Sequence, residues 1–67
     1  MLRTPFIDRL EEEAEKLQQK KSRLQKFVNS DAFKDQEKSY RQLCQDQLIG
    51  MNMYYEALNK RIAYLKG

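Results

Sequence analysis

The sequence predicts an all-helical protein, an antiparallel two-helix hairpin that self-associates into a helical homo-oligomer. Three observations predict this. Strong helix formers dominate, with only two glycines and one proline in 67 residues. Apolar residues recur at heptad spacing on both sides of a short polar break. A chain this short buries only about 60% of its unfolded surface, so one copy makes a marginal core.

Thr4 is placed to cap the first helix, and Pro5 suits the first helical position. Acidic residues then fill the opening turns, as the helix dipole prefers. Ile7, Leu10, Ala14, Leu17, Lys21, Leu24 and Val28 come next at alternating spacings of three and four, a heptad seam that contains one lysine. Asn29, Ser30 and Asp31 compete for backbone hydrogen bonds and end the helix near Val28.

The turn spans 29–34, with Phe33 plugging its end and either Asp35 or Ser30 capping the second helix. That helix is expected from about 35 to about 65, and the whole chain, 1–67, forms one domain. Its first seam is Cys44, Leu48, Met51, Tyr55, Leu58, Ile62 and Leu65. A second, adjacent seam holds Tyr40, Leu43, Gln47, Gly50, Tyr54, Ala57, Arg61 and Tyr64. Together they cover about half the helix circumference, more than one partner helix hides. A second copy is expected on the surplus, with Leu43, Leu48, Gly50, Met51, Tyr54, Leu58 and Ile62 as interface residues. Gly50 lies inside a helix, where glycine costs about 1 kcal/mol against alanine. Close approach of another helix, or of a ligand, would account for it.

Several function classes are disfavoured. With no histidine there is no ready base near neutral pH, and the lone Cys44 sits on a core seam, so no catalytic residue is expected. A lone thiol with carboxylates is a poor metal set, and neither a metal nor a cofactor is expected. No apolar run approaches the roughly 18 residues of a membrane span, so no membrane partner is expected. The opening MLRTPFIDRLEEE turns acidic where a secretory signal needs an apolar stretch, which points to the cytoplasm. The net charge of +3 is too small to predict duplex nucleic acid as a partner. That charge is uneven. Residues 1–19 carry three cations and five anions, whereas residues 20–41 carry seven cations and three anions.

Arg61, one turn from Tyr64 and two turns from Tyr54, is the cation most out of place on the second helix. An antiparallel hairpin brings Phe6 and Arg9 to the same end. Guanidinium forks for phosphate and aromatic faces for bases are what a nucleotide requires. Asp8 and Glu11 to Glu13 oppose an anion there, so the basic tip with Lys20, Lys21, Arg23 and Lys26 competes for the same role.

The stretch Gln47 to Ile62 carries a resemblance. Gln47-Leu48, Met51, Tyr54, Leu58 and Arg61-Ile62, with Phe6, Arg9, Leu24, Phe27 and Phe33 in the first half, resemble the small helical proteins of phages and prophages labelled as related to crAss-like phage. That family often has leucine and proline after the turn aromatic, where this chain has Lys34 and Asp35. In size and architecture those proteins are similar to anti-CBASS sponges, helical oligomers that sequester cyclic oligonucleotide alarm signals of bacterial immunity. The resemblance implies a non-enzymatic counter-defence protein in the cytoplasm of an infected bacterial host, holding a cyclic di- or trinucleotide between subunits. A helical adaptor that blocks a host protein is the other reading the residues permit.

Overall fold

The structure, a computed structural model, describes residues 5–67. It is all-α, with no strand among the described residues: α1 (Pro5–Val28), α2 (Asp31–Lys34) and α3 (Lys38–Lys66). Thr4, the expected cap of the first helix, lies outside the described residues.

The two long helices pack along their lengths, and their contacts run in opposite directions. Phe6 and Glu11 near the start of α1 meet Arg61 and Lys66 near the end of α3, while Lys21 meets Tyr55. Heptad spacing makes this possible, because residues three and four apart stack on one face of a helix. The core consists of Leu10, Ala14 and Leu17 of α1 against Leu58 and Ile62 of α3, with Met51, Tyr55 and Leu65 packed around it. Leu58 has no exposed surface at all. The result is a rod, 51 × 15 × 13 Å. No helix among the described residues is long and apolar enough to cross a membrane.

Ser30 makes the turn. Its backbone is extended, its hydroxyl donates to the Phe27 carbonyl at 2.6 Å, and the same oxygen accepts from the Phe33 amide at 3.3 Å. One residue thus closes α1 and caps α2, the local competition that serine offers a helix backbone. The short α2 swings Phe33 inward, where its ring meets Phe27 edge-on at 5.7 Å and 86°.

The second long helix starts at Lys38, three residues later than the expected 35. The Gln36 amide closes a turn onto the Phe33 carbonyl at 3.1 Å, and Glu37 is extended before α3 begins. Burying Phe33 requires that extra turn, whereas the polar stretch 35–37 has no such need of its own. Ser30 therefore caps α2 rather than the long second helix. Asp35 stands just past the end of α2, and Glu37 occupies the N-cap of α3 without a side-chain bond.

Leu58→Ala removes the one side chain fully enclosed between α1 and α3. Urea unfolding followed by circular dichroism is expected to show a loss of about 3 kcal/mol. The exposed Gln19→Ala is expected to stay within about 0.5 kcal/mol of the parent chain.

Candidate functional site

The uncovered seam of α3 decides where a site forms. With Cys44, Leu58 and Ile62 turned into the core, helical periodicity rotates the adjacent seam onto one open flank. Tyr40, Leu43, Tyr54 and Tyr64 are between 47% and 85% exposed there, an apolar stripe that the chain does not cover. On α1 the residues beside the core strip, Phe6, Arg9, Glu13, Lys16 and Lys20, face the same flank.

Two hollows lie along it. One, about 340 Å³, is lined by Phe6, Lys60, Arg61, Tyr64 and Leu65. The Arg61 guanidinium carbon stands 6.0 Å from the centre of the Phe6 ring, within the range of a cation–π contact. The second, about 350 Å³, is lined by Arg9, Glu12, Glu13, Lys16, Leu17, Lys20 and Tyr54. Both volumes sit at the low end of small-molecule sites.

Charge separates this flank from its opposite. The two hollows together present Arg9, Lys16, Lys20, Lys60 and Arg61 against Glu12 and Glu13, and Lys16 reaches Glu12 at 3.2 Å. The far side of the helix pair holds a third hollow of about 460 Å³ that includes Glu11, Glu15, Tyr55 and Lys66. There Lys66 Nζ lies 3.0 Å from Glu11 Oε2, which neutralises one carboxylate. An anion approaching the molecule meets five cations and two carboxylates in the hollows on one side, and one cation and two carboxylates in the hollow on the other.

The residues expected to bind a ligand divide into three groups. Phe6, Arg61 and Tyr64 share one hollow, while Arg9 and Tyr54 share the next. Lys21 and Lys26 join neither. Lys21 is half-buried on the core seam with its ammonium 4.7 Å from the centre of the Tyr55 ring, so its stem packs and its charge rests on an aromatic face. Lys26 is exposed in the last turn of α1, about 25 Å along the helix from Arg9. Sequence reasoning misses Lys16, Lys60 and Leu65 as lining residues. Lys16 sits one heptad after Arg9, a spacing that puts both on one face, and Lys60 and Leu65 flank Arg61 and Tyr64.

Of the residues expected between subunits, Leu43, Gly50 and Tyr54 are exposed, and Leu48 and Met51 are half-buried. Leu58 and Ile62 lie inside the helix pair, and a covered side chain has no surface left for another copy. Cys44 is a buried free thiol.

Residues 4–64 match the family model described as Sequestin. The chain belongs to the Sequestin family. The match spans nearly all of the chain, taking in α1, most of α3 and every residue lining the two hollows except Leu65. The family name suggests a sequestering protein. No curated protein and no solved structure matches the chain.

Cys44→Ala is expected to leave ligand binding intact and to cost about 1 kcal/mol of stability, as a small buried hydrophobe would. Calorimetric titration alongside thermal unfolding checks both. Lost binding with preserved fold would mark the thiol as functional.

Proposed function

We propose that the protein is a non-enzymatic phage counter-defence protein that binds and sequesters a cyclic nucleotide immune signal between subunits. Family membership supports the sequestering role. The observation that carries the nucleotide is the hollow in which Arg61 stands over Phe6 beside Tyr64, on a flank where five cations face two carboxylates. The resemblance to proteins related to crAss-like phage supplies the phage setting and the cytoplasm of an infected host.

The chemistry is recognition without turnover. Arginine offers a planar fork that meets two phosphate oxygens at once, and it stays charged throughout the physiological range. Phe6 and Tyr64 offer flat apolar faces for a base, and stacking tolerates any base because each has a π-face. Arg9, Lys16 and Lys20 lie further along the same flank, so a ligand with a second phosphate and a second base meets a second cluster of cations with the ring of Tyr54. Each hollow is open on its outer side. A second hairpin laid over that side would exclude water and strengthen the charged hydrogen bonds.

The exposed stripe of Tyr40, Leu43, Tyr54 and Tyr64 favours one other reading, an adaptor whose helical face blocks a host defence or metabolic protein. Nucleotide binding separates the two.

Titrating the purified protein by calorimetry against a panel of cyclic di- and trinucleotides is expected to find a binder. Arg61→Ala should weaken that binder at least tenfold, from a charge-assisted contact of about 1.5–3 kcal/mol. Lys21→Ala should leave the affinity unchanged, because its ammonium is already engaged with Tyr55. If no nucleotide binds, or if Arg61→Ala binds as well as the parent, the adaptor becomes the better account.

A further inference from the structure

A mid-helix glycine with nothing near it is unexplained within the single chain. A methyl group added at Gly50 would meet nothing within 4 Å beyond its chain neighbours and the adjoining backbone of its own helix, so neither packing nor backbone geometry in this fold asks for glycine there. The position lies on the uncovered seam, between the exposed Leu43 and Tyr54. The apolar residues around it are equally open: Tyr40, Leu43, Met53, Tyr54 and Tyr64 are between 47% and 85% exposed, a contiguous face that the single chain leaves uncovered.

We infer that two copies pair antiparallel along the uncovered seams of α3, and that each copy thereby places its Tyr40 over the Phe6–Arg61–Tyr64 hollow of the other. The part concerning the hollow rests on the nucleotide-binding reading; the pairing does not.

The register comes from the residues. Heptad seams that pair antiparallel set each position of one kind against a position of the other kind. Centring the pair near residue 52 puts Gly50 opposite Tyr54 of the second copy, so that the notch left by a missing side chain receives a ring. Arg61 then faces Leu43, and Tyr64 faces Tyr40. On the outer edge of the seam Asp46 comes opposite Lys60, and Met53, which is 67% exposed here, comes opposite itself at the two-fold axis. A parallel pairing lines up identical residues instead. It would set Arg61 against Arg61 and Gly50 against Gly50, a repulsion beside a void. Charge and volume both select the antiparallel arrangement.

The same geometry completes the site. Tyr54, Arg61 and Tyr64 belong to the seam and also line the hollows, so whatever covers the seam also roofs the hollows. The two-fold axis produces two such sites per pair, with their Arg61 residues about 27 Å apart along the helices. Tyr40 and Leu43, at the opposite end of α3 from Arg61 within one chain, become its neighbours across the pair.

Light scattering on the intact chain is expected to give twice the chain mass or a multiple of it; a monomer at micromolar concentration overturns the pairing. In a Cys44→Ser background, chains carrying Tyr40→Cys and Tyr64→Cys are expected to cross-link to each other through a short bismaleimide, and Tyr40→Cys alone is not. Self-cross-linking of Tyr40→Cys overturns the register. Asp46→Lys and Lys60→Asp each weaken association about fivefold and restore it when combined, which tests the register without touching the apolar seam. Failure of the combination to restore association counts against it.

For the site, Tyr40→Ala is expected to lower affinity for the tightest-binding cyclic nucleotide of the calorimetric panel about tenfold while the chain remains paired. Unchanged affinity in a paired chain overturns the role of Tyr40. If the parent chain binds no cyclic nucleotide yet pairs and cross-links as described, the nucleotide reading and the role of Tyr40 fall together and the pairing stands.

Discussion

A single strip of side chains, Leu10, Ala14 and Leu17 against Leu58 and Ile62, joins the two long helices, and the direction in which that strip faces decides everything else on the surface. Helical periodicity leaves little freedom once it is set. Turning Cys44, Leu58 and Ile62 inward places Tyr54, Arg61 and Tyr64 on one flank and Tyr55, Asn59 and Lys66 on the other. The same rotation of α1 sends Phe6, Arg9, Lys16 and Lys20 to the first flank and Glu11 and Glu15 to the second. The charge asymmetry of the rod is therefore a property of the core register. A one-position slip along either helix would scatter the cations and phenol rings that now line two neighbouring hollows.

That asymmetry matters because exposed charges are weak recognition elements singly. A cation in water gains little from one phosphate, and salt screens what it gains. The flank answers this by number and by neighbours. Five cations share it, and Arg61 and Arg9 each lie beside an aromatic ring that offers a base a face. The carboxylates of Glu12 and Glu13 set a limit: one is held by Lys16 at 3.2 Å, which lowers its opposition to an anion but also occupies one of the five cations. The hollow around Phe6 and Arg61 has no carboxylate in its lining, and for that reason it is the more favourable of the two for the anion proposed above.

Much of this was legible in the sequence because heptads report burial directly. Every residue of the seam from Ile7 to Val28, and of the seam from Cys44 to Leu65, is buried or half-buried. The start of α3 was not legible. Residues 35–37 are ordinary helix formers, and only the contact of Phe33 with Phe27, between different elements, draws them into a turn. The site divides in the same way. That Phe6, Arg61 and Tyr64 share an end comes from the opposed directions of the helices. That Arg9 belongs with Tyr54 rather than with Arg61 depends on rotation about the helix axis, which spacing alone does not set between helices. Lys21 reads as an anomalous seam cation, and only the ring of Tyr55 beneath it shows where its charge is held.

A core this narrow also ties binding to stability. One strip of apolar residues gives a short chain little to spare, since small domains retain only a few kcal/mol after chain entropy is met. Any ligand that binds the folded form adds stability of RT ln(1 + [L]/Kd), about 2.7 kcal/mol at a hundredfold excess over Kd. For a large domain that increment is minor, but here it is comparable to the whole margin. Covering the α3 seam acts in the same direction, because every apolar residue it hides adds to the interior that the chain lacks alone. Under the sequestering role proposed above, holding a small molecule needs no mobile catalytic parts, so nothing in that role opposes this coupling. In that role, hold on the ligand and persistence of the fold rise together, and the flank proposed to recognise the ligand becomes part of what keeps the rod folded.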